Sequence, residues 1–350
     1  MATIKFSNVG ISAISACVPK NIINNKTLIN ILSEEEVIKT IENIGIKEKR
    51  FVDKDVCSSD LCYKAAEKLF SENNIDRNSI DALIFLSQTP DYKIPATAPI
   101  LQNRLDLPKT TLCFDMNMGC SGYIFALSTT FAYASLQGIN RVLLLVGETF
   151  SKITSPLDKV NAPLYGDCGT ATLIEKGDFE DSYFILCSDG SGKDAVIIPA
   201  GEYRNPTSLE NLKDVEMEDG NIRSGHQIFM DGMDVFNFAI SVVPKSIKEM
   251  LALTQNTLER IDYIVFHQAN KFMTDFFAKR LKYPLDKVPY CIDRYGNTSS
   301  ASIPLTIVSE LNSSDIDEKK IILCGFGAGL SWGTALIKFN KCIISSIIEY

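Results

Sequence analysis

The chain spells out one order of elements twice. "IDALIF" begins at Ile80 and "IDYIVF" at Ile261. A helix-like segment precedes each, and another follows, ending in Asn103-Arg104-Leu105 in the first copy and Lys279-Arg280-Leu281 in the second. Each copy then runs through a strand, a glycine-containing turn and a helix, written "TLCFDMNMGCSG" and "VPYCIDRYGNTSS". Each closes on an apolar strand, "RVLLLVGET" and "KIILCGFGAG". Self-similarity of this kind predicts two related units about a pseudo-twofold axis.

The short apolar runs "DALIFL", "TTLCFDM", "RVLLLVG", "YIVFH" and "KIILCGF" have the length and β-branched content of strands covered on both faces. Helical patterns lie between them. "SSDLCYKAAEKLFSENN" offers Ser58 or Ser59 as a cap, and "SGYIFALSTTFAYASLQG" offers Gly138 as a stop. Alternation of strand and helix predicts an α/β fold, with halves at 1–175 and 176–350.

The 350 residues suffice for two fused units with a large core. A net charge of −8 disfavours nucleic acid as a partner, because phosphates are repelled. The ten cysteines are scattered singly, at 17, 57, 62, 113, 120, 168, 187, 291, 324 and 342. That spacing suits neither a disulfide scaffold nor a metal site, and points to a reducing compartment. "MATIKFSNVGISAI" lacks the apolar core of a signal peptide, and no run approaches the roughly 18 apolar residues of a membrane span. A soluble, cytoplasmic protein is expected.

Under the pseudo-twofold, Gly119-Cys120 and Gly296-Asn297 occupy equivalent turns, and His267 directly follows a second-copy strand. Strand ends in α/β sheets are where sites form. Cys120 sits where a helix begins, a position that favours a thiolate. Its competing role is a buried packing cysteine. His267 and His226 are the two histidines of the chain. A lone histidine is more often structural, but His267 faces the Cys120 turn. Asn297 is either a turn former or a hydrogen-bond donor beside His267.

"NMGCSG", "VFHQAN", "RYGNTSSASIP" and "GFGAGLSWG", in this order, resemble β-ketoacyl-acyl carrier protein synthase III of the thiolase superfamily. "IGIKEKR", "SQTPDY", "LYGDCGTATLIE" and "MDGMDVFNFAI" extend the resemblance over nearly the whole chain. The resemblance implies a thiolase-like fold, layered αβαβα. It implies a decarboxylative Claisen condensation in which Cys120 carries the acyl group and His267 and Asn297 donate to the malonyl thioester oxygen. The N–H groups of Cys120 and Ala328 would form the oxyanion hole. A thiolase would need a second cysteine where this chain has Gly325. Cys324 is one residue off, and in a strand points to the other face.

The same resemblance implies no bound cofactor and no metal, with coenzyme A or acyl carrier protein thioesters as substrates. It places carrier-protein docking on Gln268, Ala269, Asn270, Lys271, Phe272, Lys279 and Arg280. It also implies a homodimer whose loop "TPDYKIPATA" brings Ile94 to the partner's acyl pocket. The family's adenine-holding Trp and Arg fall on Lys39 and Asn43, a further arginine on Lys159, and the first docking arginine on Phe272. Lys and Asn cannot rebuild an aromatic–guanidinium sandwich. The donor is then a carrier-protein thioester, or coenzyme A held differently. A family member that transfers its acyl group to an oxygen or nitrogen nucleophile is the alternative, and a non-enzymatic binding module stands only if Cys120 is unreactive.

Overall fold

The computed structural model describes residues 2–350. Its first sheet runs, edge to edge, Ile343–Ile344, Val9–Val18, Cys168–Lys176, Arg141–Glu148, Ala82–Leu86 and Leu112–Met116, and Ile348–Glu349 also pairs with Val9–Val18. Its second runs Ala2–Phe6, Ser182–Ser188, Ser331–Lys338, Lys320–Gly327 and Tyr263–Phe266. Ala82–Leu86 is parallel to Arg141–Glu148, which is antiparallel to Cys168–Lys176. Tyr263–Phe266, Lys320–Gly327 and Ser331–Lys338 repeat that pattern.

The unbroken apolar strands follow from burial on both faces. Ile84, Leu86, Leu144 and Val146 point inward, toward the helices Gly122–Ala134 and Ser302–Glu310 between the sheets. Leu83, Phe85, Leu143 and Leu145 point outward, under the helices Ser58–Asn73 and Thr97–Arg104. In the second sheet Val265 and Leu323 face the centre, while Ile264, Phe266 and Cys324 face the outer helices Gly232–Leu253 and Lys271–Leu281. The result is the layered αβαβα thiolase-like architecture. Each such side chain contributes roughly 1.5–3 kcal/mol on burial.

Four expectations need correction. The termini cross over: Ala2–Phe6 completes the second sheet, and the strands at 343–344 and 348–349 join the first, so a cut at 175/176 does not separate the sheets. "VPYC" forms no strand, and Ile292–Tyr295 is a single helical turn, since Pro289 lacks the N–H a ladder requires. Cys57, not a serine, precedes the helix Ser58–Asn73, where Asp60 accepts its N–H at 2.7 Å. The Ser58 and Ser59 hydroxyls instead bond the Thr89 carbonyl and Asp91. The helix from Gly122 ends at Ala134, ahead of Gly138.

Candidate active site

Cys120 stands in the turn between the strand Leu112–Met116 and the helix Gly122–Ala134. Gly122 N–H donates to the Gly119 carbonyl at 2.7 Å and closes that turn. The backbone N–H groups of Cys120 and Ala328 both favour a charged Cys120 sulfur. Ala328 follows Gly327, whose φ is +152°. A side chain at Gly327 would begin 2.7 Å from Cys120 Cβ, so only glycine lets this strand end close over the cysteine. Gly325 is equally confined: a Cβ there would lie 3.0 Å from Ser121 Cα.

His267 leaves the strand Tyr263–Phe266 with its N–H donated to the Cys324 carbonyl at 2.8 Å. It is 1% exposed. Its ring stands edge-on to Phe326 at 5.4 Å, and Nδ1 lies 2.6 Å from Ser302 Oγ. Asn297 is anchored by its N–H on the Leu164 carbonyl at 2.8 Å. Its Oδ1 accepts the Ser299 N–H at 2.9 Å, which leaves Nδ2 for the cavity the residue lines. Cys120, His267, Asn297 and Ala328 thus come together around one narrow cavity of about 70 Å³. Val196 and Ala328 also border an open cleft of about 600 Å³, walled by Phe150, Ile153 and Ile228, where His226 lies.

The electrostatics are those of a dry site. Burial pushes the Cys120 thiol up to about 11, opposed by the Ser299 hydroxyl, with Glu148 adding to the rise. The thiolate expected at a helix start is outweighed by burial, and the helix itself begins only at Gly122. Burial likewise drives His267 down to about 3, so its imidazole is neutral at physiological pH.

These features meet a clear set of likenesses. The family model described as 3-oxoacyl-[acyl-carrier-protein (ACP)] synthase III matches residues 114–193, and its C-terminal counterpart matches 251–339. A putative 3-oxoacyl-[acyl-carrier-protein] synthase 3 of Campylobacter jejuni is 37% identical, over 99% of this chain and 98% of its own length. The chain belongs to the 3-oxoacyl-acyl carrier protein synthase III family. A β-ketoacyl-[acyl-carrier-protein] synthase III of Clostridium acetobutylicum is 35% identical over 96% of this chain and 100% of its own. The crystal structure of a 3-oxoacyl-(acyl-carrier protein) synthase from Burkholderia xenovorans, 37% identical, superposes with a TM-score of 0.92 over 100% of this chain and 99% of that one. The chain is accordingly a condensing acyltransferase of this synthase III type.

Residues that sequence reasoning missed surround the synthase site. Glu148 is fully buried and pushed up to about 7 by that burial. It accepts from Gln88 N–H at 3.1 Å, Thr89 Oγ1 at 3.0 Å and Ser300 Oγ at 2.8 Å, and so ties the first sheet to the turn that carries Asn297. Its signal was an acid closing the apolar run "RVLLLVGET". Ser299 and Ser302 had no comparable signal within "NTSSAS".

The docking residues divide. Gln268 is 1% exposed, and its amide donates to the Phe266 carbonyl at 3.1 Å, so it is no contact for a protein partner. Ala269 and Asn270 turn inward to the cavity, and Asn270 caps the helix Lys271–Leu281 by accepting Met273 N–H at 2.8 Å. Lys271 pairs with Asp275 at 2.6 Å. Phe272, Lys279 and Arg280 are exposed. Ile94 is 81% exposed. No helix of the described residues is long and apolar enough to cross a membrane, and among them no group of three or more His, Cys, Asp or Glu is placed to hold a metal ion.

Proposed function

We propose that this chain condenses an acyl thioester with a malonyl-acyl carrier protein through an acyl-Cys120 intermediate, giving a 3-oxoacyl-acyl carrier protein and CO₂. The convergence of Cys120, His267 and Asn297 on one cavity carries the reading. The Cys120 sulfur gives up its proton and attacks the donor carbonyl. The donor thiol leaves with a proton, and the acyl group stays as a new thioester. The N–H groups of Cys120 and Ala328 hold the oxyanion of that step. The malonyl thioester then enters. Its bond to the carboxylate breaks, CO₂ departs, and the electron pair moves onto the thioester oxygen as an enolate. His267 and Asn297 Nδ2 donate to that oxygen. Donation by His267 to that oxygen requires its proton on Nε2, with the Ser302 hydroxyl, 2.6 Å from Nδ1, then donating to Nδ1. The enolate carbon attacks the acyl-Cys120 carbonyl, the carbon–sulfur bond breaks, and the sulfur regains a proton.

Transfer to an oxygen or nitrogen nucleophile is disfavoured on acidity. It needs a general base poised near neutrality. His267, held down to about 3, is not one. Glu148 does not line the cavity and is engaged by its own donors. The test offers acyl-coenzyme A and acyl-carrier donors, then malonyl-carrier protein. Intact mass identifies the acylating donor, and CO₂ release identifies condensation. An acyl-enzyme that forms but releases no CO₂ with any malonyl thioester overturns the reading. Lys39 is already paired with Glu35 at 2.7 Å, in keeping with a donor held otherwise than by an adenine sandwich. The compartment this reading assigns is the cytoplasm, where ten free thiols stay reduced.

The carrier docks on the helix Lys271–Leu281. Among the described residues Lys279 and Arg280 form no ion pair, and Arg280 shares a shallow groove with Lys245 and Lys248 of the neighbouring helix. Nearer the cavity, Phe272 is 57% exposed and its ring lies 5.6 Å from Phe236. Apolar contact there replaces the missing arginine. An acidic enzyme and an acidic carrier repel at long range, so a local basic patch decides encounter. Lys279→Glu with Arg280→Glu raises the KM for malonyl-carrier protein several-fold at low salt and leaves Cys120 alkylation unchanged. Added salt weakens the wild-type interaction and hardly affects the variant. Equal KM values at low salt would place docking elsewhere.

The protein is a homodimer in this reading. Lys93 fastens the Ile94 loop to the Gly201 carbonyl at 2.7 Å and to Glu202 at 3.1 Å, and Ile94 is left projecting with Tyr92 and Tyr203. An apolar set of that kind suits a protein interface. Light scattering at micromolar concentration reads twice the chain mass; a monomer refutes it.

A further inference from the structure

One residue touches all three members of the proposed catalytic set. The Ser299 hydroxyl lies 3.6 Å from Cys120 Sγ. The Ser299 N–H donates to Asn297 Oδ1 at 2.9 Å. The Ser299 carbonyl faces the His267 ring. The residue is fully buried, and its φ is +49°, in the left-handed region that residues other than Gly, Asn and Asp seldom adopt. Its backbone contacts with Asn297 and His267 account for that conformation, yet they do not call for a serine. Glycine would take the same φ without steric cost.

What the hydroxyl adds is a donor for the sulfur. Among the described residues no other side-chain polar group lies within hydrogen-bond distance of Cys120 Sγ. The titratable groups around the sulfur give no help. Glu148 opposes the thiolate, Tyr165 is a buried phenol pushed up by desolvation, and His267 is neutral. The backbone N–H groups of Cys120 and Ala328 also favour a charged sulfur. Once an acyl carbonyl occupies the oxyanion hole, those two donors turn to its oxygen, and Ser299 Oγ–H is the donor left to the sulfur.

We propose that Ser299 is a fourth catalytic residue, whose hydroxyl donates a hydrogen bond to the Cys120 sulfur as negative charge gathers on it during acylation and again as it leaves in condensation. No proton is transferred: the hydrogen stays on Oγ throughout. The assignment rests on Cys120 being the acylated thiol, as proposed above.

Ser299→Ala and Ser299→Gly both remove the hydroxyl and keep the backbone N–H and carbonyl. Alanine keeps the strained backbone, whereas glycine fits it. Cys120 alkylation by iodoacetamide is followed by peptide mass in pH-jump stopped flow, and the quantity read is the pH at which the rate levels off. Loss of one hydrogen bond to a charged sulfur raises that pH by about one unit in both variants. Below the bend each variant then reacts on the order of tenfold more slowly than wild type. Loss of access alone would lower the whole curve without moving its bend. A bend unmoved in both variants, or moved in alanine but not in glycine, overturns the role of the hydroxyl. Should the alanine variant fail to fold, the glycine variant carries the test. If intact mass places the wild-type acyl group on another residue, the reading of Cys120 as the acylated thiol fails, whereas the alkylation bend reports on Ser299 alone.

Discussion

Cys120→Ser leaves the fold intact and abolishes the acyl-enzyme. The substitution replaces one sulfur by a smaller oxygen in a turn whose shape is set by Gly119, Gly122 and Gly327, so the architecture has no reason to move. The chemistry does. A hydroxyl needs a base to become a nucleophile, and the only histidine of the cavity is held down to about 3 and accepts no proton near neutrality. A thiol pushed up to about 11 still yields a small thiolate fraction, and thiolates are strong nucleophiles even when scarce. Condensation from an acyl donor therefore falls by at least about 10³-fold in the serine variant. Raising the pH deprotonates more of the thiol, so wild-type alkylation at Cys120 climbs about tenfold per pH unit from neutrality toward its bend. Intact mass after incubation with donor is the decisive measurement. An acyl mass shift retained by Cys120→Ser would move the nucleophile to another residue. A wild-type alkylation rate flat between pH 7 and 9 would contradict the burial that dominates the thiol.

The layers were legible because strands buried on both faces must be apolar throughout. Leu83 and Ile84 serve opposite layers, yet both read as hydrophobic. The pairing of Ala2–Phe6 with Ser182–Ser188 was not legible, since nothing local in five residues names a partner so far along the chain. The repeat misled at "VPYC", where Pro289 overrode the analogy with Leu112–Met116. At the site, Cys120 and His267 stood out because one sits in the turn that joins an apolar strand to an apolar helix and the other directly follows an apolar strand. Ser299 and Ser302 did not. In "NTSSAS" four hydroxyl-bearing residues look alike, and the sign of φ at residue 299 decides which of them meets the sulfur. The helix-start argument for a thiolate was sound as far as it went, but burial is a property of the assembled layers and is invisible in a local window.

His267→Ala and Asn297→Ala separate the two stages of the reaction. Acylation of Cys120 draws on its own N–H, that of Ala328 and the Ser299 hydroxyl; neither substitution removes any of these, although Asn297→Ala takes one backbone contact from Ser299. Each variant therefore still accepts an acyl group. Decarboxylation draws on two donors aimed at one thioester oxygen. Removing a preorganised donor from a dry site costs on the order of 10²–10³ in rate, and each variant loses CO₂ release from malonyl-carrier protein by about that factor. A neutral imidazole adds a second expectation. Protonation of free histidine near 6.5 would give the wild-type decarboxylation rate an inflection there, but His267 titrates only near 3. Between pH 5 and 8 the wild-type rate carries no inflection from this residue, and the alanine variant follows a parallel profile at a lower level. Pairing intact mass with CO₂ release in the same samples tests the division directly. Condensation at the wild-type rate by either variant removes that residue from the mechanism. The double variant discriminates further. If the imidazole and the amide share one oxygen, losing the second donor costs less than losing the first, because the enolate charge has already lost the arrangement built to hold it. Strict additivity would instead assign His267 and Asn297 to different atoms of the substrate.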